Sequence, residues 1–467
     1  MPKSPSSESP RPSRIESSSL SLPTAAFGRA GRLFRMASTL AKAELSHRLT
    51  PGGGSPDSEK TREEELSLLR KEQAQILVEE LGRLKGAAMK VGQMLSLEAR
   101  DYLPDEVIQI LEQLQNQVTA MPSGSVQEIL RAELGAKSAE LRDLTASPIA
   151  AASIGQVHSA RLGEQKVAVK IQYPGIQESI TSDMRILKSL LKGMALVMRR
   201  EFEVDGVLQE FEHVFIQETD YLQEARAAAR YREAAQGLSG IVVPRIHTDF
   251  SSSRVLTLDF EEGVPLTQWM RGVQGTRPSL EAREAMGRRI LELYTEEFCS
   301  WGLVQTDPNP GNFLVHPESS DLILLDFGAT KAYSEEFRKK YSELVLAIYE
   351  RSRPRVKDIA IAMNLIDPRE SLEAFEAFED LVFESMRPLT LDRFDFKDDR
   401  YVENVRKMTQ TLVKRMKFSP PPRDLIFLHR KLGGIFQFLR GLEVTLELKP
   451  YLTRFETLAH STPTGER

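Results

Sequence analysis

The feature that most constrains this 467-residue chain is a pair of short polar motifs separated by aliphatic residues. Asp307 and Asn312 stand in the first motif, and the apolar run from Leu322 to Leu325 leads directly into Asp326, which is followed by Phe and Gly. In magnesium-dependent phosphoryl transfer, one acid orients or deprotonates the attacking group, while an amide and a second acid hold Mg²⁺. The spacing therefore predicts Asp307 as the catalytic acid and Asn312 and Asp326 as metal ligands.

Two upstream residues extend this constellation. Lys170 ends the β-branched run 167–170, where the lysine of a kinase N-lobe strand pairs the α- and β-phosphates of ATP. Glu218, within a helix predicted over 211–229, is expected to orient this lysine as its ion-pair partner. Taken alone, Lys170 is better explained as a solvated lysine at a strand end, and Glu218 as part of a solvated helix face. In sequence order with Asp307 and Asp326, however, they favour a kinase-like site.

Bulk properties exclude several classes of protein. The formal net charge of −5 gives no electrostatic case for nucleic acid as a partner. A single cysteine, Cys299, allows no intrachain disulfide, and its aromatic neighbours predict a buried thiol. No uncharged apolar run is long enough to span a bilayer, so we expect any membrane contact to be peripheral.

Composition shifts divide the chain into predicted segments. The expected class is α+β, a bilobal protein-kinase-like fold with an N-terminal helical extension. An amphipathic helix at about 27–49 suits either an anionic lipid surface or docking on the protein itself. The predicted boundaries are a disordered tail at 1–58, a helical extension at 59–146, an N-lobe at 147–262, a mainly helical C-lobe at 263–450 and a C-terminal tail at 451–467.

Several departures from an ordinary protein kinase are visible. The glycine-rich phosphate loop is replaced by the alanine-rich residues 150–158, in which only Gly155 remains. A helix is predicted from Ser334, directly after the second acidic motif, and no Ala-Pro-Glu is recognisable. A platform for protein substrates is therefore missing or much reduced. Residues 257–263, which include Asp259, occupy the position where a kinase hinge binds adenine through its backbone.

These departures resemble the UbiB/AarF atypical kinase family, and most closely its members involved in coenzyme Q biosynthesis. The resemblance covers about residues 85–442. It is carried by residues 90–93 (KVGQ), 150–158 (AAASIGQVH), 167–175 (VAVKIQYPG), 218–221 (ETDY), 305–309 (QTDPN) and 326–328 (DFG). Many members have His at the positions of Gln305 and Asn309, which leaves the role of Gln305 open.

The resemblance implies roles for further residues. Lys90, Gly92 and Gln93 would point into the nucleotide site and block protein substrates. The Glu-x-Asp motif of the family would be Glu218 and Asp220, with Glu224 one turn further on. The alanine-rich loop would set an unusual nucleotide preference. The residues expected to bind ATP or ADP are Ala150, Ala151, Ala152, Ser153, Gly155, Val157, Lys170 and Asp259.

Three functions remain open from the sequence. The leading hypothesis is an ATP-binding, Mg²⁺-dependent atypical kinase or ATPase that supports ubiquinone biosynthesis. Its expected partners are a prenylated quinone precursor or lipid, a membrane surface and quinone-biosynthesis enzymes. The alternatives are a nucleotide-sensing pseudokinase scaffold and a small-molecule phosphotransferase. The expected location is the cytoplasmic face of a bacterial inner membrane or, alternatively, the mitochondrial matrix. The phospho-acceptor and the oligomeric state stay undetermined.

Overall fold

The computed structural model describes residues 121–152, 154–176, 219–273, 275–417 and 423–461. The predicted amphipathic helix at 27–49 and the KVGQ segment lie outside these residues, as do Ser153 and Glu218. None of the described helices combines the length and the hydrophobicity needed to cross a bilayer.

The described part of the chain alternates short strands with longer helices. Its strands are β1 (Leu141–Arg142), β2 (Ala150–Ala152), β3 (Gly155–Leu162), β4 (Gln165–Gln172), β5 (Ile241–Val242), β6 (Val255–Asp259), β7 (Val264–Pro265), β8 (Leu303–Gln305), β9 (Phe313–Val315), β10 (Leu322–Leu324), β11 (Thr330–Ala332), β12 (Phe394–Asp395) and β13 (Thr445–Leu446). Its helices are α1 (Ser123–Leu134), α2 (Tyr221–Ala234), α3 (Leu266–Arg271), α4 (Leu280–Thr295), α5 (Glu335–Tyr349), α6 (Arg353–Ala362), α7 (Leu372–Ser385), α8 (Asp399–Arg415), α9 (Arg423–Leu442) and α10 (Lys449–His460).

An antiparallel sheet of order β1-β3-β4-β6, with β2 paired to β3, forms the first lobe. Side chains alternate across a strand, so β4 presents two different faces. Val167, Val169 and Ile171 are fully buried on one face, in a cluster with Val126 and other residues of helix α1. The opposite face carries Lys170 and meets helix α2, and this alternation fixes which way the lysine points.

The second lobe is mainly helical and contains three small sheets, β5-β10-β9-β7, β8-β11 and β12-β13. Its core is one large hydrophobic cluster, with Phe298 completely buried. The Phe298 ring lies 5.3 Å from that of Tyr341 in α5 and 5.9 Å from that of Phe455 in α10. Because Leu452, Phe455 and Leu458 are buried, packed structure continues to His460, beyond the boundary at 450 expected from composition.

One predicted helix has a different limit in the described structure, and one strand is unusually short. Of the helix expected over 211–229, the described part begins at Tyr221, because Asp220 has extended backbone angles and its side chain accepts a hydrogen bond from the Leu222 N–H at 3.0 Å. Residues 211–218 lie outside the described structure. Strand β5 extends only over Ile241–Val242. Pro244 comes soon after and has no N–H to donate to a ladder.

Candidate active site

Lys170 lies at the centre of the site, with 7% of its surface exposed. Its Nζ is 2.9 Å from both carboxylate oxygens of Glu224 and 2.9 Å from Oδ2 of Asp326. Burial opposes the positive charge, but the two carboxylates outweigh it and raise the pKa of Lys170 well above its usual value. The lysine is therefore a fixed cation that joins the first lobe to the Asp-Phe-Gly segment.

The carboxylate that orients Lys170 in the described structure is Glu224, whereas the sequence had assigned this role to Glu218. Glu224 lies in the first turn of α2 with 5% of its surface exposed, and the helix start at Tyr221 leaves Glu218 ahead of the Asp220 cap. Burial and the neighbouring Asp326 carboxylate raise the pKa of Glu224 to about 7, against the opposing effect of Lys170. The Phe327 N–H also donates to Glu224 Oε1, at 3.4 Å, so this side chain contacts both motifs.

Two short strand pairings place the acids of the second lobe. Pairing of β9 with β10 aligns Phe313 with Leu324, and the Leu325 N–H donates to the Asn312 carbonyl at 3.0 Å. Asn312 therefore lies beside the residues that lead into Asp326. In the second pairing, β8 with β11, the Thr306 N–H donates to the Ala329 carbonyl at 2.9 Å.

The polar side chains of the two motifs are oriented by short hydrogen bonds. Asn312 Nδ2 donates to Oδ2 of Asp307 at 2.9 Å, and Asp326 Oδ1 accepts from the Gly328 N–H at 3.0 Å. Gln305, whose role the sequence left open, donates through Nε2 to the Asp307 carbonyl at 2.8 Å and to the Asp326 carbonyl at 3.4 Å. Gln305 thus bridges the backbones that carry the two acids.

The donor set of this site fits a magnesium ion. The amide nitrogen of Asn312 is committed to Asp307, which leaves its oxygen as the ligand atom, and the Asp326 carboxylate supplies further ligand oxygens. Within the described residues, no group of three or more His, Cys, Asp or Glu side chains is arranged to hold a metal by itself. Magnesium does not require such a cage, because it is commonly held by one or two protein oxygens together with substrate phosphates.

The alanine-rich segment forms the hairpin of β2 and β3. Val157 pairs directly with Lys170 across β3 and β4, so both side chains emerge on the same face. A Cβ atom added at Gly155 would lie 2.2 Å from the Ile171 carbonyl oxygen. The close approach of two strands therefore already requires glycine at this position.

The other predicted residues lie at the edges of the site or outside the described structure. The Asp259 carboxylate contacts the protein itself, His247 Nε2 at 2.7 Å and the Gln165 side chain. The Asp259 N–H donates to the Arg245 carbonyl. Asp220 is the N-cap of α2. Ala150 and Ala151 are exposed and Ala152 is half-buried. The described structure does not contain Lys90, Gly92, Gln93, Ser153 and Glu218.

The sequence interpretation missed a buried ion pair that contacts the catalytic loop, residues 305–312. Glu297 has no exposed surface and Lys431 has 4%, and Lys431 Nζ lies 3.1 Å from Glu297 Oε2. The sequence did contain one signal, since Lys431 falls on the apolar stripe of α9 formed by Leu428, Ile435 and Phe438. A charge at a core position of a helix needs a buried partner.

An antiparallel sheet lobe that supplies a paired lysine, and a helical lobe that supplies Asp307, Asn312 and Asp326, define a protein-kinase-like fold. The family described as the ABC1 atypical kinase-like domain matches residues 113–360. The chain belongs to this family, which confirms the α+β kinase-like fold class and the resemblance drawn from the motifs.

Individual relatives agree with this assignment. The chain is 34% identical to "Atypical kinase COQ8B, mitochondrial" of Danio rerio, with 79% of this chain and 58% of that protein covered. It is 32% identical to "Atypical kinase COQ8, mitochondrial" of Schizosaccharomyces pombe, covering 82% and 62%. The chain thus spans about three fifths of the length of these two relatives. The solved Rv3197–erythromycin complex from Mycobacterium tuberculosis matches with a TM-score of 0.58 and 25% identity, covering 86% of this chain and 100% of that one.

Proposed function

We propose that this protein is an ATP-binding, Mg²⁺-dependent atypical kinase or ATPase that supports the synthesis of ubiquinone or a related prenylated quinone lipid. The observation that carries the proposal is the double ion pair of Lys170, whose Nζ is 2.9 Å from both Glu224 and Asp326. These residues come from β4, from α2 and from the segment after β10. Their convergence on one buried cation supports a working phosphoryl-transfer site.

Each side chain has a defined part in the proposed reaction. Lys170, oriented by Glu224, binds phosphate oxygens of the nucleotide, and Asp307 orients or deprotonates the attacking hydroxyl group or water. Asn312 and Asp326 would hold Mg²⁺, which supplies neutralisation of the triphosphate charge when bound. The Asn312–Asp307 hydrogen bond of 2.9 Å keeps a ligand residue and the catalytic acid in a fixed relation.

The segment after Asp326 bears on the nature of the acceptor. Only β11 separates the Asp-Phe-Gly segment from helix α5, which begins at Glu335. The described chain therefore has little room for the long loop on which protein kinases bind peptide substrates. This supports a small-molecule acceptor or water over a protein substrate.

The quinone and location parts of the proposal come from the family. The relatives' names identify mitochondrial COQ8-type atypical kinases, and the motif resemblance points to the coenzyme Q branch. We propose a matrix-side or cytoplasmic-face location with peripheral membrane contact, and quinone-biosynthesis enzymes as partners.

ATP hydrolysis by the full chain, measured with and without Mg²⁺, tests the proposal. We expect turnover by the wild-type protein and a loss of at least about a hundredfold in Asp326→Asn, which removes a ligand charge and keeps the shape. Exposed Asp392→Asn is the control, because it lies outside the site. Equal turnover by the wild type and Asp326→Asn contradicts catalysis at this site. Anionic liposomes with a quinone-precursor mimic test the lipid part, for which stimulation of turnover is the expected result.

A further inference from the structure

One face of helix α9 contacts the catalytic loop at successive positions. Arg430 Nε donates to the Thr306 carbonyl at 2.8 Å, and Lys431 Nζ donates to Gln305 Oε1 at 3.3 Å. One turn further along, Gly434 meets Pro308, the residue next to Asp307. A Cβ atom added at Gly434 would lie 2.0 Å from the Pro308 Cβ.

The charge of Lys431 is neutralised by Glu297, in the π-helical turn Glu296–Trp301 that leads into β8. Glu297 Oε1 also accepts from the Tyr231 hydroxyl at 2.6 Å and from the Gln305 N–H at 3.1 Å. Both main-chain and side-chain groups of Gln305 are therefore held by the ion pair. Gln305 in turn donates to the Asp307 carbonyl.

The cavity beside Lys431 is too small for a ligand. The internal cavity lined by Pro308, Lys431 and Ile435 has a volume of about 10 Å³, which is room for about one water molecule. The buried charges therefore act on the protein itself.

We propose that α9 is a clamp on the catalytic loop, in which Lys431 and Gly434 are positioning residues for Asp307. Lys431 acts through Gln305, and Gly434 acts through its close contact with Pro308. Neither residue is required to touch the nucleotide. The kinetic part of this inference rests on the proposed ATP-dependent activity.

The sharpest test compares two neighbouring glycines of the same helix. Gly433→Ala is the matched control, because Gly433 has no neighbouring atom within 4 Å of an added Cβ. Gly434→Ala forces Pro308 to move, so we expect kcat to fall by about tenfold to a hundredfold while the KM for ATP changes little. Gly433→Ala should match the wild type. Equal kcat values for two folded variants would overturn the clamp.

A second pair of measurements separates the clamp from the proposed activity. Glu297→Gln combined with Lys431→Met keeps the core neutral and removes the contact of Lys431 with the Gln305 side chain, so kcat should again fall at unchanged KM. An unchanged kcat in this variant counts against the clamp. Amide hydrogen exchange over residues 305–312 requires no turnover, and it should be faster in Gly434→Ala than in Gly433→Ala. If no variant hydrolyses ATP, the exchange rates still test the clamp. Equal rates in Gly434→Ala and Gly433→Ala reject it, and faster exchange in Gly434→Ala supports it.

Discussion

Lys170 and Asp326 are 156 positions apart in the sequence, yet their side chains form an ion pair of 2.9 Å. The pair joins a strand of the first lobe to the second lobe. Glu224 completes it from helix α2 and brings a second negative charge within reach of the same ammonium group. We expect the stability and the pH dependence of this site to depend on these two carboxylates, which share one buried cation.

Removing that cation should be costly. In Lys170→Met, Glu224 and Asp326 would face each other without a counter-charge, so we expect the free energy of unfolding to fall by about 3–5 kcal/mol. Urea denaturation measures this directly. Lys407→Met is the control, since its pair with Glu403 is exposed on one helix face and should change stability by about 0.5 kcal/mol or less. If both variants have a similar free energy of unfolding, the ion pairs of Lys170 make no net contribution to stability.

The choice between the two candidate carboxylates can be decided by substitution. Glu224→Gln keeps the shape of the side chain but removes the charge that orients Lys170. We expect ATP affinity or kcat to fall by about tenfold to a hundredfold. Glu218→Gln, made in parallel, should have a smaller effect. The opposite ranking in calorimetric nucleotide titrations and steady-state assays would return the role to Glu218.

The raised pKa of Glu224 predicts a pH dependence for the free protein. As the pH falls through about 7, Glu224 takes up a proton and its charge pairing with Lys170 is lost, so kcat/KM for ATP should decline on the acidic side of this value. The free energy of unfolding changes with pH in the opposite direction to kcat/KM. A carboxylate whose folded pKa lies above its unfolded value contributes most stability below about 4.5, and this contribution is lost as the pH rises through about 7. Glu224→Gln should abolish both inflections, whereas a kcat/KM profile unchanged by this substitution would exclude Glu224 as the titrating group.

Gly155 provides a prediction about the alanine-rich hairpin. In Gly155→Ala the new methyl group would press on the Ile171 backbone, which a rotamer change cannot relieve. We expect a destabilisation of about 1–3 kcal/mol, together with weaker nucleotide binding because Ile171 is the residue next to Lys170. Gly124→Ala is the control, as no atom lies within 4 Å of its added Cβ. Melting temperatures of the two variants that agree within error would argue against the close approach of β3 and β4.

Local pattern was sufficient for the long elements. The helix predicted from Ser334 is α5, which has Ser334 as its N-cap, and the β-branched run 167–170 lies in strand β4 as expected. These elements arise from hydrophobic periodicity and side-chain caps, which act over a few residues. The helix predicted over 211–229 is not continuous, because helical periodicity alone does not show that Asp220 is extended and caps a helix starting at Tyr221.

The sequence by itself determined the type of chemistry, since the order and spacing of Lys170, Asp307, Asn312 and Asp326 already identify the phosphoryl-transfer groups. The tertiary structure alone decided which partners these groups have. Glu224 rather than a neighbouring acid meets Lys170 in the described structure, and Lys431 reaches the catalytic loop from a helix more than a hundred residues away. The physical reason is that ion pairing and desolvation depend on three-dimensional separation and burial. Neither is encoded in the local spacing of residues along the chain.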